Sequence, residues 1–468
     1  MQVFNRHVSG RRFTVFALEM GLIAATIVAA GAIQGALTDA SNGAWRVLLV
    51  TAVCALCFYY NDLYDLTVVH SKAELALRFL QASGEAAILL GLIKVLSPTL
   101  IPNGSTPLTA VGLLLLTVPA WRAAYDGVSG DASERVLILG TGPAAMQVAR
   151  QIALQHDFGY RIVGFVGDEG VRSSDGPILG PTTDLAHLIA HHRVDRIVVA
   201  LTDGRGRLPV QELLQAKLSG VRVEEGATTY ERITGKVLLD DLKPSWLIFS
   251  DGFRASRGTR IVKRGLDLLF ATTGIVIGAP LMLLTMIAVR LDSKGPILYR
   301  QERVGFRGRT FTVLKFRSMR TDAEEGTPLW ASTNDTRVTR VGRFIRMTRL
   351  DEMPQLWNVL RGEMSFVGPR PERPFFVEKL TAALPFYAER HSVRPGLTGW
   401  AQVKYHYGAS IEDAAEKLRF DLYYIKHLSI AFDLSIFMDT VKVILSGASA
   451  SEPRVTTAEV LGRDGCNV

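Results

Sequence analysis

Residues 268–289 read LLFATTGIVIGAPLMLLTMIAV, 22 positions without a charge, and whether they cross a membrane decides the fold of everything downstream. Length alone permits a crossing, since about 20 apolar residues span a bilayer. The flanks argue otherwise. Lys263 and Arg264 precede the stretch, and Arg290 and Lys294 follow it, so both ends favour the cytoplasmic side. Pro280 deletes one backbone donor and crowds the preceding turn, and Gly274 and Gly278 weaken the same region. We read residues 264–290 as a helix that breaks at Pro280, enters one leaflet and returns, its freed carbonyls covered by protein.

Upstream, four further apolar segments precede any polar domain. Phe13–Ile33 is interrupted only by Glu19 and follows Arg6, Arg11 and Arg12; Trp45–Tyr60, Phe79–Leu96 and Thr109–Ala124 come next. More apolar segments follow where a cleaved leader would give way to a polar chain, so the first is a span and not a signal peptide. The loop Ser97–Pro107 has no charge, whereas Lys72, Arg78, Arg122 and Arg135 flank the opposite ends, with Lys94 the exception. That asymmetry puts the N-terminus and everything after Asp126 in the cytoplasm. Glu85 reads as a polar contact between helices.

The whole chain has 468 residues, 48% of them hydrophobic, with 53 Lys plus Arg against 45 Asp plus Glu, a net charge of +8. A basic and hydrophobic chain of this kind is not a disordered tail, a collagen-like fibre or a simple soluble globule, and it suits work on anionic groups at a membrane. Three cysteines make no disulfide framework; Cys54 and Cys57 form a CxxC inside an apolar run, which we read as helix packing, and Cys466 lies in a polar tail.

From Arg135 the pattern becomes α/β. Val136–Leu139 reads as a buried strand, followed by Gly140-Thr-Gly142-Pro-Ala-Ala145 and a periodic helix, then by strands at Arg161–Val166 and Arg196–Leu201 and a helix at Val210–Leu218. Gly140, Gly142 and Ala145 make a candidate nucleotide turn, since glycines let the backbone approach a pyrophosphate at a helix N-terminus. Asp168 stands 28 residues beyond Gly140 (168 − 140), later than the ~20 usual for a ribose-binding acid. A Rossmann-like domain that serves as scaffold or oligomerisation surface explains the same pattern.

The chemistry lies further on. Asn334 opens the run NDTRVTRVGRFIRMTRLDEMPQLWNVLRGEMSFVGPRPERP, in which Arg337, Arg340, Arg343, Arg346 and Arg349 recur every third residue. On a long helix that row drifts around the surface as a broad basic band, suited to polyphosphate or anionic lipid. Asp351 and Glu352 follow at once. Adjacent acids on a helix point about 100° apart and can take different tasks, and nearby guanidinium groups keep them ionised. One suits a nucleophile toward phosphorus and its neighbour a magnesium ligand; two acids neutralising a basic surface is the plain alternative. Lys315-Phe-Arg317 and Gly368-Pro-Arg370-Pro371 fix further cations beside stiff or permissive backbone. No zinc spacing, G-x-S-x-G elbow or Walker loop occurs.

These runs, with KFRSM at Lys315 and PGLTGWAQV from Pro395, make the region from about Lys263 to Leu445 resemble the catalytic domain of bacterial sugar transferases acting on polyprenyl phosphate, the monotopic phosphoglycosyl transferase superfamily. The whole chain is similar to the long members that start exopolysaccharide, capsule or O-antigen synthesis. The segment YGASIEDAAEKLRFDLYYIKHLSI from Tyr407 is most similar to the exosortase-associated subgroup. The resemblance implies a membrane protein of α plus α/β class. Its expected parts are four membrane helices over 1–128, a Rossmann-like domain over 132–250, a mostly helical monotopic catalytic domain over 258–448 and a polar tail over 449–468.

It also implies transfer of a sugar-1-phosphate from a UDP-sugar to undecaprenyl phosphate with release of UMP, through a phosphosugar intermediate on Asp351. Glu352 then helps to hold Mg²⁺, Lys315, Arg317, Arg349 and Arg370 bind phosphate oxygens, and Pro280 is the breakpoint of the re-entrant helix. Residues 375–387 and 428–445 are expected as interfacial helices, with a soluble core as the alternative. The implied location is the bacterial inner membrane, catalytic face to the cytoplasm, with the bilayer, donor and acceptor as partners and no nucleic acid. A homodimer and contact with downstream glycosyltransferases are compatible with it. The competing classes are a membrane-bound nucleotide-sugar oxidoreductase or dehydratase, which leaves the arginine row unexplained, and a non-enzymatic scaffold.

Overall fold

The computed structural model describes residues 2–3, 6–7, 10–33, 40–61, 63, 72–97, 106–129, 133–154, 159–167, 176–201, 208–239, 252–253, 255–320, 337–405 and 410–446. Asp168, the middle of the uncharged loop after Ser97, Tyr407–Ala409 and the polar tail lie outside these residues. The chain divides into two compact units, the first ending at Ile233 and the second running on from Thr234.

The first unit begins with helices α1 (Gly10–Ile33), α2 (Ala40–Tyr60), α3 (Lys72–Leu96) and α4 (Thr106–Ser129), one for each expected apolar segment. Ile23, Ile27 and Ala30 of α1, Cys54 and Phe58 of α2, Ala82, Ala86 and Leu90 of α3, and Ala110, Leu114 and Val118 of α4 share one core. Their three- and four-residue spacings are those of a single helix stripe. Outward, Leu48, Leu77, Ile88, Val95 and Leu116 are exposed. Buried Glu19 of α1 pairs with Arg122 of α4 through both carboxylate oxygens. Glu85 accepts from Asn61, the residue just past α2, at 2.7 Å, a polar contact from α3 to the end of α2. Cys54 and Cys57 are free buried thiols. Among the described residues of these four helices, only Ala76–Leu96 is both long and apolar enough to cross a membrane; Ala17–Ala30 and Ala44–Tyr60 are shorter apolar helices.

The same unit holds a five-stranded parallel sheet of β1 (Glu134–Leu139), β2 (Tyr160–Val166), β3 (Ile178–Gly180), β4 (Arg196–Val199) and β5 (Arg222–Glu225), in the order β3-β2-β1-β4-β5. Strands buried on both faces read as continuous apolar runs, as VLIL in β1 and IVV in β4 do. Helices α5 (Pro143–Leu154), α6 (Leu185–His192), α7 (Val210–Leu218) and α8 (Gly226–Thr234) complete the alternation.

The second unit opens with α9 (Arg257–Asp292), 36 residues capped by the Ser256 hydroxyl on Thr259 N–H at 3.0 Å. Here the sequence reading needs correction. Helical backbone continues through Pro280, so this residue bends the helix at most and does not break it. Near its start, Lys263 donates to Val367 O at 2.9 Å and Arg264 to Val359 O at 2.7 Å; near its end, Val289 packs with Phe316 and Ile345, and Asp292 accepts from Val341 N–H at 3.2 Å. At its middle, a Cβ on Gly278 would overlap Met353 Cε and one on Gly274 would press on Leu356. One face is thus attached to the same body along its whole length. The opposite face exposes Leu269, Val276, Ile277, Leu283, Leu284, Ile287 and Leu291.

Next come the antiparallel hairpin β6 (Leu298–Val304) and β7 (Thr310–Phe316), α10 (Arg340–Met347), a 3-10 turn at Leu350–Glu352 and α11 (Gln355–Arg361). Strand β8 (Ser365–Val367) pairs in parallel with β9 (Gly396–Thr398). Between and after them lie α12 (Pro374–Ala383), α13 (Trp400–Lys404), α14 (Ile411–Lys426) and α15 (Ile430–Ser446). Their core is aromatic: Trp400, Phe420, Tyr423, Tyr424 and Phe432. Phe376, Leu380, Tyr387 and Ile436 join it, so both segments expected at the interface contribute side chains to this buried core. Val237 and Leu239 also belong to it, and Trp400 Nε1 donates to Gly235 O at 2.9 Å. Residues 234–239 therefore pack with the second unit, ahead of the boundary expected near 250–258.

Candidate active site

The 3-10 turn carrying Asp351 and Glu352 is set by two backbone features. Thr339 caps α10 with its hydroxyl on Gly342 N–H at 2.9 Å, and Arg349 ends that helical path in the left-handed region at φ 60°. Left-handed backbone is unfavourable for a residue with a Cβ. Its carbonyl accepts from Glu352 N–H at 3.2 Å and closes the turn that turns both acids inward. Asp351 is 7% exposed and Glu352 8%.

Glu352 Oε1 accepts from Lys315 Nζ at 2.9 Å and Arg370 Nη2 at 2.8 Å. Lys315 stands on β7, whose edge is bound by buried Asn358 of α11. The Asn358 amide accepts from Leu314 N–H at 3.1 Å and donates to Thr312 O at 2.7 Å. Arg370 follows β8, which is aligned by Asp267 of α9 through Ser365 Oγ at 3.0 Å and Phe366 N–H at 2.8 Å. The glycine runs around it interlock. Gly368 N–H donates to Thr398 O at 2.9 Å, and a Cβ on Gly368, Gly396 or Gly399 would come within 2.4 Å of backbone atoms of the facing run.

The surroundings push the two acids in opposite directions. Burial opposes ionisation of Glu352, but Arg370 and Lys315 outweigh it and hold this carboxyl well below the usual carboxylate range. Burial pushes Asp351 up, Glu352 adds to that, and Lys315, Arg370 and Arg346 only partly counter it. The cations thus dominate at Glu352, whereas burial dominates at Asp351. Asp351 Oδ1 is buried without a hydrogen-bond partner. A buried carboxylate oxygen left without a donor costs free energy, which a functional site accepts for the sake of its ligand.

Of the other expected residues, Arg317 is displaced from the dyad. Its Nη2 donates to Ser293 O at 2.7 Å and Ser293 Oγ at 2.8 Å, at the C-terminal cap of α9. The arginine row is not one helical band either, because α10 covers only residues 340–347. Arg340 and Arg343 are exposed there, while Arg346 acts on Asp351. Arg349 contributes the turn, with an exposed side chain. In the first unit, Gly140 (φ +126°) is required by packing, since a Cβ there would lie 2.4 Å from Ala200 O. Ala145 is fully buried between α5 and the sheet. Gly142 sits half-buried ahead of α5.

The sequence reading did not single out Arg346 within its row, Asn358, Asp267, Arg390 or Asp421. Arg390 and Asp421 lie in or beside quoted motifs, yet nothing local marks Arg390 as the partner of the Arg370 carbonyl or Asp421 as the partner of Arg390.

Adjacent carboxylates in a basic cradle, one engaged by two cations and the other with an oxygen uncommitted, are suited to attack on a phosphorus centre. Comparison with known proteins agrees with that class. Residues 258–447 match the family described as bacterial sugar transferase. The chain is 43% identical over 220 residues to the UDP-N-acetylgalactosamine-undecaprenyl-phosphate N-acetylgalactosaminephosphotransferase of Aeromonas hydrophila, covering 47% of this chain and 51% of that protein. It is 35% identical over 319 residues to the undecaprenyl-phosphate glucose phosphotransferase of Komagataeibacter xylinus, covering 66% and 59%. It is 31% identical over 335 residues to the UDP-glucose:undecaprenyl-phosphate glucose-1-phosphate transferase of Xanthomonas campestris pv. campestris, covering 68% of each. The chain thus spans little more than half the length of the first two relatives. It belongs to the bacterial sugar transferase family.

Proposed function

We propose that this protein transfers a sugar-1-phosphate from a UDP-sugar to undecaprenyl phosphate, the first membrane step of an exopolysaccharide, capsule or O-antigen pathway. The observation that carries this reading is Asp351 Oδ1, buried and uncommitted beside a Glu352 already engaged by Lys315 and Arg370. In the first half-reaction an Asp351 oxygen bonds to the phosphorus bearing the sugar, and the bond from that phosphorus to the bridging oxygen breaks. UMP leaves with the electron pair. In the second, a phosphate oxygen of the lipid attacks the same phosphorus and the aspartyl carboxylate is released, leaving a lipid pyrophosphoryl sugar. Arg370, Lys315 and Arg346 supply positive charge where equatorial phosphate oxygens crowd.

The donor set also fits a hard divalent cation. Among the described residues no group of three metal-ligating side chains occurs, but Mg²⁺ is commonly held by one or two carboxylates plus substrate phosphates. Glu352, with Asp351 Oδ1 beside it, would hold Mg²⁺ in that way. When bound, Mg²⁺ supplies charge neutralisation for the pyrophosphate.

Helices α1 to α4 act as a four-helix membrane anchor, a reading supported by their exposed leucines and by the Glu19–Arg122 pair turned inward. The parallel sheet, with its order and glycine turn, is Rossmann-like. Helix α9 lies monotopically in the cytoplasmic leaflet of the inner membrane. Both its ends and its middle adjoin one body, and a full crossing would hold Met353 and the neighbouring charged dyad at bilayer depth, at great cost.

The test is UMP release from a panel of UDP-sugars in the presence of undecaprenyl phosphate, with mass spectrometry of the quenched enzyme. A phosphosugar adduct on Asp351 is expected. Turnover without any such adduct, or no UMP from any donor, would sink the proposal.

A further inference from the structure

The segment Gly368-Pro-Arg-Pro-Glu372 presents Arg370 to Glu352, yet two of its residues, Pro369 and Pro371, have no N–H with which to anchor it. The chain grips its carbonyls. Pro369 O accepts from Gly396 N–H at 2.9 Å, Arg370 O from Arg390 Nη2 at 3.0 Å, Pro371 O from Arg303 Nη1 at 3.0 Å and Glu372 O from Val304 N–H at 2.9 Å.

The hold on Arg370 itself is the unusual one, because a charged and buried side chain provides it. Arg390 is 6% exposed and Asp421 only 1%. Arg390 Nε and Nη2 donate to Asp421 Oδ2 at 3.1 and 2.7 Å, and Nη1 donates to the Tyr387 hydroxyl at 2.7 Å. Three faces of one planar fork are therefore fixed by Asp421, Tyr387 and the Arg370 carbonyl together. Burying such a pair is weak ground for stability, since apolar groups of similar volume often do as well. Its use here is directional: the fork aims one N–H at the main chain of the residue that holds Glu352.

We propose that Asp421 and Arg390 are positioning residues for Arg370, and through it for the Asp351–Glu352 dyad. The inference deepens the transferase reading and rests on it for the activity arm of its test only.

That test combines a double-mutant cycle with amide hydrogen exchange on the full chain in detergent or nanodiscs. Asp421→Asn should lower kcat for UMP release roughly tenfold or more, the size of coupling expected between contacting groups, with a smaller change in KM for the donor. In an Arg370→Ala background the same substitution should cost nothing further. Exchange should quicken in peptides covering residues 367–373 and stay unchanged over 350–361. Should Asp421→Asn fail to fold, Arg390→Lys decides by the same two measurements, because an ammonium keeps the charge beside Asp421 but cannot span all three acceptors. Equal losses in both backgrounds, or unaltered kcat and unaltered exchange at 367–373, would overturn the proposal. If the wild-type protein transfers no sugar phosphate, the transferase reading fails, and the exchange comparison still decides the positioning role.

Discussion

Two charge clusters in this molecule are built from the same residue types and differ in whether every carboxylate oxygen has a donor. In the sheet of the first unit, Arg196 of β4 lies between Glu134 of β1 and Glu224 of β5, while Arg222 and Arg232 engage the outer oxygens of those acids. In the second unit, Glu352 is held by Lys315 and Arg370, but Asp351 keeps an oxygen with no donor. In the cluster that joins strand ends, every carboxylate oxygen accepts from an arginine. A cluster that awaits a charged reactant leaves one group uncommitted, with its carboxyl pushed up by burial. The difference separates a structural network from a site more surely than the count of charges does.

Substitutions can break that contrast, beginning with the largest effect. Asp351→Asn should reduce UMP release by roughly a thousandfold or more, as removal of a nucleophile does, and abolish the phosphosugar adduct. Its Tm should stay level or rise, because a buried acceptor with no donor gives way to a neutral amide. A collapse of Tm in step with activity would make Asp351 a structural residue.

Glu352→Gln should follow, with turnover falling about a hundredfold and the magnesium concentration for half-maximal rate shifting upward. Lys315 and Arg370 would then face an amide, so some loss of stability is expected as well. An unchanged magnesium titration would remove Glu352 from the ion's ligands.

The fully engaged cluster should behave in the opposite sense. Arg196→Ala removes the buried arginine between two half-buried carboxylates that keep Arg222 and Arg232, and should destabilise the first unit by about 1–2 kcal/mol, measured by chemical denaturation. UMP release per folded molecule should be unchanged. A specific loss of activity at full stability would mean that the sheet cluster has a role in the reaction.

The smallest effect concerns pH. Burial, reinforced by Arg390, lowers the His391 pKa to about 4 from 6.5. Between those values the unfolded chain binds the extra proton, so stability falls as pH drops through that window. His391→Gln should flatten the decline of Tm between pH 6.5 and 4 by a few degrees. An identical decline in both proteins would refute the assignment.

Much of this protein was legible in its sequence, for reasons that are local. Helices at the four apolar segments and the alternation from Glu134 to Thr234 follow from apolar periodicity, glycine placement and residue type, whereas the acids, read on a helix, stand on a 3-10 turn after left-handed Arg349. The dyad itself was legible, since adjacent acids beside an arginine row are conspicuous before any folding. What only the tertiary structure decided was partnership. It paired Glu19 with Arg122 across 103 positions, sent Arg317 to the cap of α9 and not to Glu352, and brought Asn358 to the strand that carries Lys315. It also carried helix through Pro280, because α9 is supported along its length by the body it packs on. Backbone preference acts over a few residues and can be read along the chain. The direction in which a long charged side chain points is set by which distant carbonyl or carboxylate relieves its desolvation, and only the packed fold brings that partner within reach.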